Sequence, residues 1–242
     1  MSADLPQFSG FYRETFKFFT SLERNNNSKW FAANRESYQN FLVTPAKEYV
    51  SSIAEFFNQL NPAIRTEPKF NKTLMRISKD MRFAKGDPYK NFFLIHFGRF
   101  KMDSEFYVYL DKNGIEYGLF INGTEGDELY FNQNLKTFRK EIINVFSRFK
   151  LNNKFELDKM DKMPELVLKK FDANKHFKKL ENLKYILFQT DRSKNEKIIY
   201  SANFLTETIK IFSRLYPLYC FAISPQPLKL LDEFEERLGV AN

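Results

Sequence analysis

The spacing of hydrophobic residues changes twice along this sequence, and that change limits the possible folds most. Near both ends apolar side chains recur every three to four residues, which is typical of amphipathic helices. In the middle they alternate with polar residues, which is typical of strands. The expected helical stripes run over residues 8–22, 30–42, 49–60, 135–149, 205–219 and 228–238.

The clearest alternation runs from Leu74 to Phe83 and predicts a two-faced strand. One face would be apolar and the other polar, and a turn at Gly86-Asp87-Pro88 would follow. The apolar face would carry Met75, Ile77, Met81 and Phe83, and the polar face Arg76, Ser78, Asp80 and Arg82.

Further strands are expected at residues 92–97, 106–110, 115–122 and 184–190. Asn113-Gly114 is the strongest hairpin signal, because this pair adopts the left-handed backbone that tight hairpins need. Helices, then mainly antiparallel strands, then helices predict an α+β fold. No linker interrupts residues 1–242, so we expect a single domain, with the lysine-rich stretch 151–184 as an excursion from it.

The net charge of +8 is concentrated in one segment. Residues 69–101 hold nine basic and two acidic side chains, a net of +7, so the rest of the chain contributes only +1. Such a patch favours anionic partners, whether small molecules or nucleic acid. The alternative is an edge strand kept soluble by its lysines.

Location is predicted from what the chain lacks. A single cysteine, Cys220, leaves no sign of an oxidising compartment. Met1 to Gly10 shows no signal-peptide pattern, and no run reaches the roughly 18 apolar residues that span a bilayer. We therefore expect a cytoplasmic protein with no membrane partner. The oligomeric state is left open.

Two motifs resemble a known family. Asn25-Asn26-Asn27-Ser28-Lys29-Trp30-Phe31, followed by Asn34 and Tyr38, is similar to the opening motif of the domain of unknown function 2461 family (DUF2461). Residues 76–83 and Pro88-Tyr89-Lys90 resemble its second motif, and weaker similarities lie near Arg139, at 169–171 and at 216–218.

The resemblance implies a soluble bacterial protein of no assigned reaction, and it supplies no catalytic residues. This chain departs from the pattern in two places. The turn between Phe83 and Pro88 is only four residues long, and the expected glycine-rich patch is reduced to Gly118.

The candidate ligand site combines the second motif with the basic segment. If the strand is regular, Arg76, Asp80 and Arg82 share one face, and the turn returns Tyr89 and Lys90 over them. Arginine and lysine suit phosphate or carboxylate ligands. The alternative is an ion-pair network that holds a strand to its turn.

Trp30 is the remaining candidate ligand-binding residue. Trp30 and Phe31 are adjacent on a predicted helix and cannot both point the same way, so one could line a pocket. The alternative is a plain helix corner, which asparagines at 25–27 would suit.

No metal site or cofactor is expected. His96 and His176 have no second His or Cys at ligand spacing, and Cys220 follows Tyr219 on an apolar helix. Gly118 and Gly123 have phosphate-loop spacing, but Thr124-Glu125 follows where Lys-Ser/Thr is required.

Three functions stay open from the residues alone. The first is binding of a phosphorylated small molecule or nucleotide. The second is nucleic-acid binding through the patch 69–101, with exposed Phe or Tyr as stacking platforms, although no nucleic-acid motif is present. The third is an enzyme with Asp80 as catalytic acid/base.

Overall fold

The computed structural model describes residues 7–161, 163–192 and 196–237. It confirms the α+β class, with helices at both ends of the chain and strands between them. The helices are α1 (Arg13–Arg24), α2 (Ser28–Ala33), α3 (Arg35–Tyr38), α4 (Thr44–Leu60), α5 (Phe131–Thr137), α6 (Arg139–Arg148), α7 (Ala173–His176), α8 (Glu196–Ile199), α9 (Asn203–Ile223) and α10 (Pro227–Arg237). A π-helical segment (Gln39–Val43) precedes α4, and a 3-10 segment (Phe177–Asn182) follows α7.

Six strands form one sheet in the order β1-β2-β3-β6-β4-β5. They are β1 (Phe92–Phe97), β2 (Glu105–Asp111), β3 (Gly114–Asn122), β4 (Glu156–Met160), β5 (Pro164–Leu168) and β6 (Tyr185–Gln189). The predicted hairpin at Asn113-Gly114 is confirmed, because β2 ends at Asp111 and β3 begins at Gly114. Gly114 has φ +128°, a backbone conformation that side chains rarely permit.

The chain divides into two compact units. The first comprises Met1–Phe97, Tyr107–Glu116 and Arg192–Ile209. The second comprises Gly98–Phe106, Tyr117–Asp191 and Lys210–Asn242. That the whole chain is one domain stays a prediction.

The core of the first unit is built on α4. Tyr49, Ile53 and Phe57 are fully buried, as the helical stripe predicts. Phe57 stacks on Phe97 of β1 with ring centroids 4.4 Å apart, and the Tyr49 hydroxyl donates to Thr208 Oγ1 at 2.9 Å. Large aromatic rings therefore supply much of the apolar burial here.

The second unit is built around the antiparallel pairing of β3 with β6. Gly118 faces the backbone of Phe188 so closely that an added Cβ would collide with it. The glycine thus serves strand pairing. The predicted strand near residue 184 is confirmed as β6, but β4 and β5 were missed in the lysine-rich stretch, where charge obscures the alternation.

The predicted strand from Leu74 to Phe83 is wrong. Only isolated bridges occur there, from Leu74 to Phe70 and to Ile95, and from Ser78 to Tyr89. The chain then turns, and Asp80 O accepts hydrogen bonds from the amides of Phe83 and Ala84, both at 3.0 Å. The Asp80 side chain also accepts from Arg82 N at 3.1 Å, and such local bonds compete with a strand ladder.

The turn also leaves half of the predicted apolar face exposed to solvent. Ile77 is buried, but Met81 and Phe83 are 47% and 85% exposed. In the closing helix α10, Leu231 is buried as expected, whereas Leu228 is exposed. The expected inward position of Leu238 lies outside the described residues.

The predicted helix from Trp30 to Leu42 is divided into α2, α3 and the π-helical segment. Asn34 ends α2, and its side-chain amide donates to Trp30 O at 2.9 Å. Pro45 has no N–H for the carbonyl of Phe41, four residues earlier, and Thr15 Oγ1 donates to that carbonyl at 2.5 Å instead.

Candidate functional site

The two ends of the second motif are joined into a closed loop, here called the 78–89 loop (residues 78–89). Ser78 and Tyr89 form an antiparallel bridge. Lys79 N donates to Pro88 O, and Lys90 N donates to Ile77 O, both at 2.8 Å. Residues at the base of the loop are therefore fixed, although the strand predicted there is absent.

The base of the loop brings Arg76 and Lys90 together. Lys90 Nζ donates to Arg76 O at 2.7 Å, a contact between residues fourteen positions apart in sequence. The expected return of Lys90 toward Arg76 thus occurs, but it is made through a backbone carbonyl.

Asn26 of the first motif binds the backbone of Tyr89. Asn26 Nδ2 donates to Tyr89 O at 2.9 Å, and Tyr89 N donates to Asn26 Oδ1 at 3.1 Å. The same Nδ2 donates to Asn91 Oδ1 at 2.9 Å. A side-chain amide therefore satisfies both polar groups of one peptide segment, as a neighbouring strand would. The two motifs of the family resemblance meet here.

Aromatic rings also pack between the first motif and the second. Phe31 stacks on Tyr89 with centroids 4.2 Å apart and an interplanar angle of 20°, and it contacts Tyr38 at 5.2 Å. Burial raises the pKa of Tyr38, and the positive charge of Arg76 partly offsets that rise. The Arg76 guanidinium lies over the Phe70 ring, with Cζ 5.8 Å from the centroid.

Three cations gather at this base, and we call Arg76, Lys79 and Lys90 the basic cluster. Arg76 is exposed, while Lys79 and Lys90 are half-buried. Burial lowers the pKa of Lys90, and the charge of Lys79 lowers it further. Within residues 7–161, 163–192 and 196–237, none of the three forms an ion pair with a carboxylate.

Asp80 and Arg82 lie on the exposed turn of the loop and bind each other. Arg82 Nη2 is 2.7 Å from Asp80 Oδ2, and Arg82 Nε is 3.0 Å from Asp80 Oδ1. Hydrogen bonds from the Arg82 side chain and backbone hold the pKa of Asp80 below its usual value. The structure does not bring either residue into contact with Arg76 or Lys90, because the face that they were expected to share does not exist.

Trp30 lies apart from the basic cluster. It contacts Phe18 of α1, with ring centroids 5.7 Å apart, and lines a shallow groove. The groove is lined by Glu14, Lys17, Phe18, Ser21, Trp30, Asn34, Ser37 and Phe41. Phe31 also contacts Phe18, with ring centroids 6.5 Å apart, and it is Phe31 that contacts Tyr89 of the second motif.

The other end of the basic segment, in the second unit, is neutralised by ion pairs. Arg99 Nε and Nη2 each lie 2.9 Å from a different oxygen of Asp103, which is fully buried. Arg99 also contacts Glu128 Oε2 at 3.2 Å and donates to Ile223 O at 3.3 Å. Burial alone would lower the pKa of Arg99, but the hydrogen bonds and charge of Asp103 outweigh it, and the pKa is raised.

Among the described residues, no group of three or more His, Cys, Asp or Glu side chains could hold a metal ion. Cys220 is buried, which raises the pKa of its thiol and disfavours the reactive thiolate. His176 Nδ1 accepts a hydrogen bond from Asp172 N at 3.1 Å, a local turn contact.

Sequence reasoning did not assign site roles to Asn26, Phe31, Tyr38 or Lys79. Three of them, Asn26, Phe31 and Tyr38, belong to the first motif. The sequence signal that could have found them is that both motifs come from one family, which suggests that they lie close together in the fold. Lys79 was counted in the basic segment, but its position beside Lys90 depends on the closed loop.

The family model described as conserved hypothetical protein (DUF2461) matches residues 14–221. That match covers most of the chain, and it includes both motifs and the basic cluster. The chain therefore belongs to the DUF2461 family. A search of curated proteins finds no match. No helix in the described part of the chain has the length and apolar character needed to cross a membrane.

Proposed function

We propose that this protein binds an anionic, phosphorylated small molecule or a nucleotide at the basic cluster. The observation that carries the proposal is the half-buried Lys90 ammonium, held at Arg76 O beside Lys79 with no carboxylate partner in the described part of the chain. Like charges kept close together cost free energy, which a bound anion would recover.

The chemistry of the surrounding groups supports a phosphorylated ligand. A phosphoryl group offers several strong acceptor oxygens, which suit two ammonium groups and a guanidinium. The exposed Arg76 would reach the ligand from outside, and the closed backbone of the 78–89 loop would keep Lys79 and Lys90 in place. Tyr89 and Phe31 already stack on each other, so they would support the site by fixing its base.

A thermal-shift screen tests the proposal. The compounds are inorganic phosphate, sugar phosphates and nucleoside mono-, di- and triphosphates, with unphosphorylated nucleosides as the matched comparison. A true ligand at one hundred times its Kd would add about 2.7 kcal/mol to the free energy of unfolding. We expect the shift with phosphorylated compounds alone.

Variants locate the binding. Lys90→Met and Lys79→Met should each abolish or sharply reduce the shift, whereas Lys229→Met, an exposed lysine of α10, should leave it unchanged. If no phosphorylated compound shifts the melting temperature, or if both cluster variants respond like wild type, the proposal is wrong.

The pH dependence of binding gives a second test. Lys90 has a pKa below the ordinary 10.5, so its positive charge, and with it the anion affinity, should decline at a lower pH than for a free lysine. In Lys79→Met the repulsion from Lys79 is gone, so the pKa of Lys90 itself should rise, which an NMR titration of the protein without ligand measures. Titration calorimetry above pH 8 avoids protonation of the phosphate itself, whose second pKa is about 6.

A further inference from the structure

The tip of the 78–89 loop carries an apolar side chain that the fold leaves in solvent. Phe83 is 85% exposed, more than any other large hydrophobic side chain among the described residues, and Met81 beside it is 47% exposed. Exposed apolar side chains that lie together mark interaction sites more often than scattered ones do.

The tip is ordered by its own hydrogen bonds. The amides of Phe83 and Ala84 both donate to Asp80 O at 3.0 Å, and Arg82 pairs with the Asp80 carboxylate. The base of the loop is closed at Ser78 and Tyr89. Phe83 is therefore displayed on a turn of defined geometry.

Cations flank the ring. Arg82 Cζ lies 5.5 Å from the centroid of Phe83, and Lys79 and Lys85 stand on either side in sequence. Residues 76–90 hold five basic and two acidic side chains, so the loop with its base carries a net charge of +3. An aromatic face beside positive charge matches a nucleotide, which joins a flat base to a phosphate.

We propose that the tip of the 78–89 loop binds single-stranded nucleic acid. Phe83 would stack on an unpaired base. Lys85 would contact one flanking phosphate, and Arg82 would contact another through Nη1, since Asp80 binds only its Nε and Nη2. Duplexes keep their bases stacked on each other, so a protruding ring of this kind selects single strands.

A lipid surface fits this tip less well. Five of the nine residues from 79 to 87 are charged, and both signs are represented. Arg82 adjoins Phe83, and Asp80 adjoins Met81, so insertion of the two apolar side chains would draw both charges toward the acyl layer, which is costly. Stacking on a base requires only the exposed ring.

Fluorescence anisotropy with labelled twelve-nucleotide oligo(dT) and oligo(rU) tests the proposal at about 50 mM salt and then at rising salt. We expect binding that weakens as salt increases. Phe83→Ala should weaken it about 5- to 150-fold, the range for losing one stacked base. Phe83→Trp should retain binding, and Lys85→Ala should reduce the salt slope by about 0.7 for one lost phosphate contact.

The matched control is Met163→Ala, which removes another exposed apolar side chain, 71% exposed, outside the loop. It should bind like wild type. Because Phe83 is exposed, Phe83→Ala should unfold at the same urea concentration as wild type, which separates loss of binding from loss of fold.

Three results with oligonucleotides would overturn the proposal: no binding at low salt, wild-type affinity in Phe83→Ala, or equal affinity for a duplex of the same length. A fourth would be Phe83-dependent binding to vesicles of equal parts phosphatidylcholine and phosphatidylglycerol without oligonucleotide binding. The small-molecule proposal is judged separately, by thermal shift and the Lys79 and Lys90 variants, so either can fail alone.

Discussion

The two ends of the basic segment differ in how their positive charge is balanced. Arg99 is 12% exposed and binds a fully buried carboxylate through two parallel contacts. Arg76, Lys79 and Lys90 have no carboxylate partner among the described residues, and burial together with the charge of Lys79 lowers the pKa of Lys90. Basic residues of one segment thus form a buried ion pair at Arg99 and, among the described residues, have no carboxylate partner at the basic cluster.

The comparison shows that a charge count alone does not locate a binding site. Lys72 pairs with Glu67 at 3.8 Å, Arg82 with Asp80 and Arg99 with Asp103. Among the described residues, three of the nine basic side chains are therefore engaged in ion pairs. What distinguishes the basic cluster from the exposed, unpaired lysines of the segment is that two half-buried ammonium groups lie together there, and half-buried charges without compensation tend to mark functional sites.

The largest loss of stability is expected at Arg99, where ion pairs neutralise the basic segment. Asp103→Asn leaves the guanidinium of Arg99 buried without its main partner, so the free energy of unfolding should fall by about 3 to 5 kcal/mol. Urea unfolding followed by circular dichroism measures it. Glu128→Gln removes the exposed partner of Arg99, 61% exposed, and should cost at most about 1 kcal/mol. Equal losses in the two variants would contradict the assignment of Asp103 as the structural partner.

A smaller loss of stability is expected at Asn26, where the two motifs meet. Asn26→Ala removes both hydrogen bonds to the backbone of Tyr89 and leaves part-buried polar groups unsatisfied, at a cost of about 1 to 3 kcal/mol. The amide of Tyr89 should also exchange its hydrogen faster, which NMR detects residue by residue.

Asn26→Asp sharpens this test. The carboxylate can still accept from Tyr89 N but cannot donate to Tyr89 O or to Asn91. Protection of the Tyr89 amide should therefore lie between that of wild type and Asn26→Ala. If Asn26→Ala leaves both the stability and the exchange rate unchanged, the contact does not hold the loop.

The smallest effect is expected at the exposed ion pair of the loop. The lowered pKa of Asp80 means that its contribution to stability is present above about 3.8, the ordinary pKa of the group, and is lost as pH falls through the lower folded value. Because both side chains are well exposed, Asp80→Asn should change the urea midpoint at pH 7 too little to resolve. A large loss would show that the pair stabilises the whole fold.

Local pattern predicted much of the fold. The apolar stripe of α4 and the hairpin at Asn113-Gly114 depend on interactions within a few residues, and both are confirmed. The alternation from Leu74 to Phe83 predicted a strand that is absent. Asp80 accepts hydrogen bonds from the amides of Arg82, Phe83 and Ala84, and these bonds turn the chain before it can pair with a neighbouring strand. In the helix before Pro45, the partner of Phe41 O is Thr15, which is distant in sequence and which the local pattern does not reveal.

The sequence by itself determined the α+β class, the family and the segment in which charge accumulates. Only the tertiary structure decided which charges are compensated, that Asn26 binds Tyr89 across 63 residues of sequence, and that Phe83 stands in solvent. The physical reason is the separation in sequence over which each kind of interaction acts. Periodicity and turn chemistry act between near neighbours, whereas ion pairing and exposure depend on which distant segments the fold brings together.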